Sequence, residues 1–212
     1  MKQERLYYPV FMNLTGRKCA VAGGGKVAWR KVKSLLDASA SVTVISPALC
    51  PELEQLAEKN TIHILRKTYV PADLEGAVLV IAATDEPDTN RKVAEEARRR
   101  GIPVNVVDNA EQSDFIAPSY LRRGDLTIAV STAGDSPALS RKIRTQLEQT
   151  FGTEYISLVA LVGEVRNELK QRGITPSSDK WQEALDLNRL ITLVQAGQIE
   201  EAKATLLKRL LS

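Results

Sequence analysis

Short apolar runs alternate with amphipathic segments along the first half of the chain. The runs have the length of buried strands, and the segments between them repeat apolar residues at helical spacing. Strands that alternate with helices in this way are typical of a doubly wound parallel α/β sheet. We predict five strands, over residues 14–22, 41–45, 61–65, 78–83 and 103–107, and three helices, over residues 26–38, 51–59 and 89–100.

The pattern changes after residue 114. Two short apolar runs, 115–120 and 126–131, flank the turn-forming residues 122–125 and predict a hairpin. Ser136 and Pro137 then fit the N-cap and first position of a helix that runs to about residue 151. From residue 155 the pattern is helical, with a break at Gly173 and Pro176 and two further helices over residues 181–194 and 199–211. We therefore expect three parts: a Rossmann-type domain (1–114), a small α+β region (115–150) and a C-terminal helical domain (151–212).

A glycine turn joins the first predicted strand to the first predicted helix. Gly23, Gly25 and Ala28 have the G-x-G-x-x-A spacing of dinucleotide-binding units. Gly23 would allow a sharp turn, and Gly25 would let a pyrophosphate approach the backbone without meeting a Cβ. The free N–H groups at the start of the helix would face that diphosphate.

The glycine spacing has a second interpretation, because glycine clusters also form turns that bind nothing. The strand and helix around this cluster favour the dinucleotide. One expected residue is missing, since the second predicted strand ends in Ile45-Ser46-Pro47 without the carboxylate that usually binds the ribose of NAD. Ser46 could bind the ribose or accommodate a 2′-phosphate, so this position leaves NAD and NADP both open.

Composition narrows the function classes. The 212 residues carry 29 basic and 26 acidic side chains, a balance that does not predict nucleic-acid binding. No apolar run is long enough to span a bilayer, and the first residues lead into no signal-peptide core. Cys19 and Cys50 are the two cysteines, which we expect to be reduced thiols of a cytoplasmic protein. His63 is the one histidine, and no Cys/His cluster has metal-ligand spacing, so we predict a structural histidine and no metal site.

Polar residues follow three of the predicted strands at the edge where ligands bind in open α/β sheets. They are the glycine turn, Thr84 with Asp85, and the segment from Asn105 to Asn109. Asp108 comes directly after an apolar strand, where a carboxylate could exchange protons during redox chemistry. The alternative is that Asp108 only caps a turn. The arginine pair at 122–123 and the basic residues at 141–144 either line a cleft for an anionic substrate or form a solvated face.

Six motifs in one order resemble the precorrin-2 dehydrogenase family, the amino-terminal half of siroheme synthase. The resemblance covers about residues 7–150. The motifs occupy residues 8–11 (YPVF), 23–31 (GGGKVAWRK), 82–85 (AATD), 105–108 (NVVD), 115–118 (FIAP) and 131–138 (STAGDSPA).

The resemblance implies NAD-dependent oxidation of precorrin-2, a tetrapyrrole, to sirohydrochlorin. It also implies a homodimer in which the central region, residues 115–150, exchanges elements between two chains. Asp108 matches the catalytic aspartate of the family. Residues expected to contact NAD are Gly23, Gly24, Gly25, Lys26, Val27, Pro47, Ala48 and Thr84, and residues expected to line the substrate site are Ser113, Asp114, Ser136 and Arg141.

Two further expectations follow from the resemblance. Some family members also insert iron; we expect a dehydrogenase alone here and leave iron insertion open. We expect no uroporphyrinogen methylation, because 212 residues leave no room for the methyltransferase domain of the trifunctional enzymes. The rival function is a non-catalytic NAD-sensing Rossmann module, which accounts for the glycines but not for the motifs at 105–108 and 131–138.

Overall fold

The computed structural model describes residues 6–212, which form two compact units divided between Ala117 and Pro118. The first unit contains a five-stranded parallel sheet of order β3-β2-β1-β4-β5. Its elements are β1 (Lys18–Ala22), α1 (Lys26–Leu36), β2 (Ser41–Ile45), α2 (Pro51–Glu58), β3 (His63–Leu65), a 3-10 helix (Pro71–Leu74), β4 (Leu79–Ala82), α3 (Pro87–Arg99) and β5 (Val104–Val106). This is the predicted Rossmann-type sheet.

The sheet is buried on both faces, and the side chains of each strand alternate between them. Cys19 and Val21 of β1 pack with the buried face of α1, whereas Ala20 and Ala22 pack on the opposite side with α3. β4 alternates in the same way. Burial on both faces is why these strands are continuously apolar in the sequence.

The second unit begins with a β-hairpin and continues as helices. The hairpin pairs β6 (Ser119–Arg123) with β7 (Leu126–Val130), and α4 (Pro137–Thr150) packs against both strands. Four helices then surround a separate core cluster. They are α5 (Glu154–Gln171), α6 (Ser178–Ala184), α7 (Leu187–Gln195) and α8 (Ile199–Leu211). The predicted α+β region and helical tail are therefore present.

The strand bounds of the hairpin were predicted wrongly. The first strand was expected over 115–120 but spans Ser119–Arg123, and only Gly124 and Asp125 form the turn. Gly124 has φ +57°, the left-handed conformation that two-residue hairpin turns require. A two-residue turn extends the first strand through both arginines, which the sequence analysis had assigned to the turn.

Two other differences from the predicted bounds exceed two residues, whereas the remaining bounds differ by at most two. The first strand begins at Lys18 rather than Leu14, because Arg17 N–H closes a turn on the Leu14 carbonyl. The helix expected over 181–194 is two helices: α6 ends at Ala184, and Asp186 caps α7 by accepting a hydrogen bond from Arg189 N–H at 3.2 Å. An aspartate side chain that accepts from the backbone favours a helix start over a helix interior.

Candidate active site

Gly23 and Gly24 make the glycine turn compact. Gly23 has φ +123°, and a Cβ there would lie 2.6 Å from the carbonyl carbon of Ala83 and closer still to its oxygen. At Gly24 a Cβ would lie 2.6 Å from Ser46 Oγ and would overlap the carbonyl oxygen of Ala48. The two glycines therefore let the end of β1 pack directly against the backbone that follows β4 and β2.

Gly25 is different, because a Cβ there would meet no atom within 4 Å. It is exposed and is the N-cap of α1, and no side chain caps this helix. The first intrahelical bond runs from Trp29 N–H to Gly25 O at 3.0 Å, so the preceding N–H groups have no intrahelical acceptor. With no acidic residue in the first turn and Lys26 exposed beside it, this helix start fits a dinucleotide diphosphate.

The segment after β2 closes one side of the glycine turn. Cys50 N–H donates to Gly24 O at 2.7 Å, which fixes Pro47 and Ala48 next to the turn. Ser46 is buried, and its hydroxyl donates to Ala48 O at 2.7 Å. The Ser46 side chain therefore shapes the loop, and its contact with the ribose stays a prediction.

Asn90 organises the loop after β4, and the sequence analysis missed this residue. Its side-chain oxygen accepts from Thr84 N–H at 3.1 Å and from the Thr84 hydroxyl at 2.8 Å, while its amide donates to Thr84 O at 2.9 Å. Thr84, expected to contact the cofactor, is thus held at the carboxyl edge of the sheet by a buried amide. The signal in the sequence was a polar residue on the apolar face of α3.

Asp108 lies in a tight turn directly after β5. Asn109 N–H donates to Val106 O at 3.1 Å, and Val107 N–H ties the turn to Ala82 O of the neighbouring strand at 2.9 Å. Asp108 is exposed and has φ +59°, a left-handed conformation that costs a non-glycine residue about 1–2 kcal/mol. The turn thus leaves the Asp108 side chain exposed at the carboxyl edge of the sheet.

Ser113 and Asp114, expected to contact substrate, both bond to the backbone of β5 and of its turn. Ser113 Oγ accepts from Val106 N–H at 2.9 Å and donates to Asn109 O at 2.8 Å. Asp114 accepts from Val104 N–H at 3.0 Å and from Arg98 Nε at 3.2 Å. These bonds brace the turn that carries Asp108.

The predicted residues of the second unit lie at the start of α4. Ser136 caps the helix as predicted, accepting from Leu139 N–H at 3.3 Å, and Arg141 is exposed one turn later. Two other basic residues of this unit are engaged: Arg123 donates to Phe151 O at 3.0 Å, and Arg144 pairs with Glu148. The substrate contacts of Ser136 and Arg141 stay predictions.

The residues described, 6–212, contain no group of three or more His, Cys, Asp or Glu side chains that could hold a metal ion. His63 is exposed on β3, and both cysteines are free thiols, with Cys19 buried. Burial raises the pKa of Cys19 to about 11, which keeps this thiol protonated and unreactive. Nowhere in the same range does a helix combine the length and apolar character needed to cross a bilayer.

Two regions of the chain match the models of known protein families. Residues 10–119 match the model of a family described as "Putative NAD(P)-binding", and residues 123–150 match one described as "Sirohaem biosynthesis protein central". The solved structure titled "SirC, precorrin-2 dehydrogenase" superposes with a TM-score of 0.70 at 26% identity, over 93% of this chain and 100% of that one.

Curated relatives include siroheme synthases of Thioalkalivibrio sulfidiphilus and Methylobacillus flagellatus. Each is 44% identical, over 96% and 92% of this chain respectively, and in both cases the match covers 42% of the relative. The chain therefore spans less than half the length of the curated relatives it matches. The resemblance to the precorrin-2 dehydrogenase family and the nicotinamide dinucleotide cofactor, both predicted from the sequence, are confirmed. Because the first of the two matched models covers just over half of the residues, the chain belongs to the NAD(P)-binding domain family.

Proposed function

We propose that this chain oxidises precorrin-2 to sirohydrochlorin with NAD. The observation that carries the proposal is the position of Asp108, a strained and exposed carboxylate at the same sheet edge as the glycine turn. β5 is two strands from β1, so the ends of these strands are about 10 Å apart. That separation suits a dinucleotide whose diphosphate lies at α1 and whose nicotinamide lies toward β5.

In this proposal some residues bind the cofactor and another accepts a proton. The helix start after Gly25 binds the diphosphate, with Lys26 adding positive charge, and the backbone around Pro47 and Ala48 flanks the adenosine end. NAD, when bound, accepts a hydride from the substrate. Asp108 takes up the proton that the substrate loses in the same oxidation. Asn90, through Thr84, keeps the edge of the site in place.

Ser113 and Asp114 are positioning residues in this proposal. Both satisfy backbone N–H groups of β5, an edge strand, that would otherwise bond to water. Ser113 also bonds to Asn109 O and so holds the backbone on both sides of Asp108. A carboxylate held in the left-handed region needs such bracing, because the surrounding structure must outweigh the local strain.

The hairpin unit supports a homodimer. A two-stranded sheet is marginally stable alone, and β6 and β7 are backed here by α4, with several side chains only half-buried. A second copy would pair with or cover these strands, as the resemblance of this region to the sirohaem central family implies. Light scattering should then give twice the 23.3 kDa of one chain.

The free thiols support a cytoplasmic location.

The test is NADH formation from precorrin-2 by the wild type and by Asp108→Asn. We expect the variant to lose a factor of about 10²–10⁴ in kcat, because it removes the proton acceptor but keeps the shape of the turn. Glu111→Gln, on the same loop and also exposed, is the matched control and should keep full activity. Wild-type turnover by Asp108→Asn would remove this residue from the mechanism.

Two further outcomes address the alternatives. Tight NAD binding by a wild type that neither binds nor oxidises a tetrapyrrole would favour the NAD-sensing module. Iron insertion is tested separately by adding Co²⁺ or Fe²⁺ as substrate to sirohydrochlorin and following the absorbance of the macrocycle. We expect no acceleration over the uncatalysed reaction.

A further inference from the structure

Lys31 lies at the margin of the buried stripe of α1. It follows the buried Ala28 by three residues and precedes the buried Leu35 by four, and both spacings keep side chains on one helix face. It also comes one turn after Val27, which the resemblance places against the cofactor. Lys31 is half-buried, whereas Lys33 on the outer face of the same helix is exposed.

The ammonium group of Lys31 is half-buried but unpaired within the part of the chain that the structure describes. Over residues 6–212 it forms no hydrogen bond and no salt bridge, although withdrawing a charge from water without a partner is costly. Burial is the main cause that lowers the pKa of Lys31 below 10.5; Arg30 lowers it further, and the carboxylate of Asp108 opposes both. A half-buried cation without a protein partner can donate to an anionic ligand, and perturbed groups of this kind are candidates for functional sites.

The packing of the segment after β5 accounts for the electrostatic effect of Asp108 on Lys31. Val107, the residue before Asp108, and Phe115 both pack against the core cluster that contains the buried face of α1. The turn after β5 therefore lies on the α1 side of the sheet. Among the described residues, Arg30 and Asp108 are the charged groups that act on Lys31, and Asp108 forms no salt bridge with it.

We propose that Lys31 binds a peripheral carboxylate of the tetrapyrrole and so sets which ring of the substrate faces Asp108. The inference rests on the proposed function and adds a substrate-binding residue to it. A tetrapyrrole of this type presents carboxylate side chains around rings that carry pyrrole N–H groups. An ammonium and a carboxylate on the same side of the sheet match that pair of groups, and each charge-assisted hydrogen bond is stronger than a neutral one.

The test compares Lys31→Met with Lys31→Arg, and uses Lys33→Met as the matched control. Lys31→Met should raise KM for precorrin-2 about tenfold and weaken sirohydrochlorin binding, measured by absorbance titration, by the same factor. Lys31→Arg should stay within about threefold of the wild type, because it keeps the charge. Lys33→Met should behave as the wild type, and the Kd for NAD should not change in any variant.

Stability separates a binding role from a structural one. Lys31→Met removes a half-buried ammonium without a partner, so its Tm should equal or exceed that of the wild type. A lower Tm with unchanged sirohydrochlorin affinity would overturn the proposal, as would a changed Kd for NAD.

The binding titration also keeps the two proposals distinct. If the wild type binds sirohydrochlorin but does not oxidise precorrin-2, the dehydrogenase proposal fails. The sirohydrochlorin affinity of Lys31→Met, compared with that of the wild type, still decides the role of Lys31. A wild type that binds no tetrapyrrole overturns both.

Discussion

The three consecutive glycines should respond differently to alanine, because the structure gives each a different surrounding. At Gly23 and Gly24 the added Cβ would lie 2.6 Å from a neighbouring atom, whereas ordinary contacts begin at 3.4 Å. That second-nearest atom is already about 0.8 Å too close, and the nearest atom, the backbone carbonyl oxygen of Ala83 or of Ala48, is closer still, so overpacking of this kind costs about 1–3 kcal/mol. Gly23 adds about 1–2 kcal/mol for its positive φ.

We therefore expect Gly23→Ala to lower the free energy of unfolding by about 2–5 kcal/mol and Gly24→Ala by about 1–3 kcal/mol. At about 4 °C per kcal/mol for a unit of this size, Gly23→Ala should lower Tm by about 8 °C or more. Gly25→Ala should cost less than about 1 kcal/mol, because its φ of −83° suits any residue. It should nevertheless weaken NAD binding at least tenfold, about 1.4 kcal/mol, since the Cβ occupies the space left for the diphosphate.

Thermal unfolding and calorimetric NAD titration measure the two effects separately. Gly163→Ala is the matched control, since Gly163 lies within α5 and a Cβ there meets nothing within 4 Å. This control should keep the wild-type Kd for NAD and gain about 0.5–1 kcal/mol from better helix propensity. An unchanged Tm for Gly24→Ala, or an unchanged Kd for Gly25→Ala, would refute the reasoning.

Three other substitutions test the first unit. Asn90→Ala leaves the Thr84 N–H without its acceptor and should lower the free energy of unfolding, measured in urea, by about 1–3 kcal/mol. An unchanged free energy of unfolding would mean that water replaces the Asn90 amide. Tyr69→Phe removes a buried hydroxyl with no partner among residues 6–212 and should raise stability by about 1 kcal/mol, so a lower Tm would contradict us. Side-chain hydrogen bonds from Arg99 and Arg100 lower the pKa of Glu96 to about 2. The contribution of Glu96 to stability is therefore full above the unfolded pKa of 4.5 and disappears as the pH falls toward 2. The Tm difference between wild type and Glu96→Gln should shrink over that range, and a difference independent of pH would refute the assignment.

The sequence by itself determined the sheet and the cofactor loop, because both depend on local patterns. Continuous apolar runs specify strands buried on both faces, and β2 was predicted at its observed bounds, Ser41–Ile45. The glycine spacing and the start of α1 at Lys26 were also readable, since a strand, a turn and a helix start involve residues adjacent in the chain. The cap at Ser136 was local in the same sense.

Only the tertiary structure decided what the individual side chains bond to. The bonds of Asn90 to Thr84 and of Asp114 to β5 join residues from different elements, and the spacing of these residues in the sequence did not predict the partners. The left-handed φ of Asp108 is likewise imposed by the turn that closes on Val106. Local propensity acts over a few residues, whereas these contacts depend on how separate strands and helices are brought together by packing of the core.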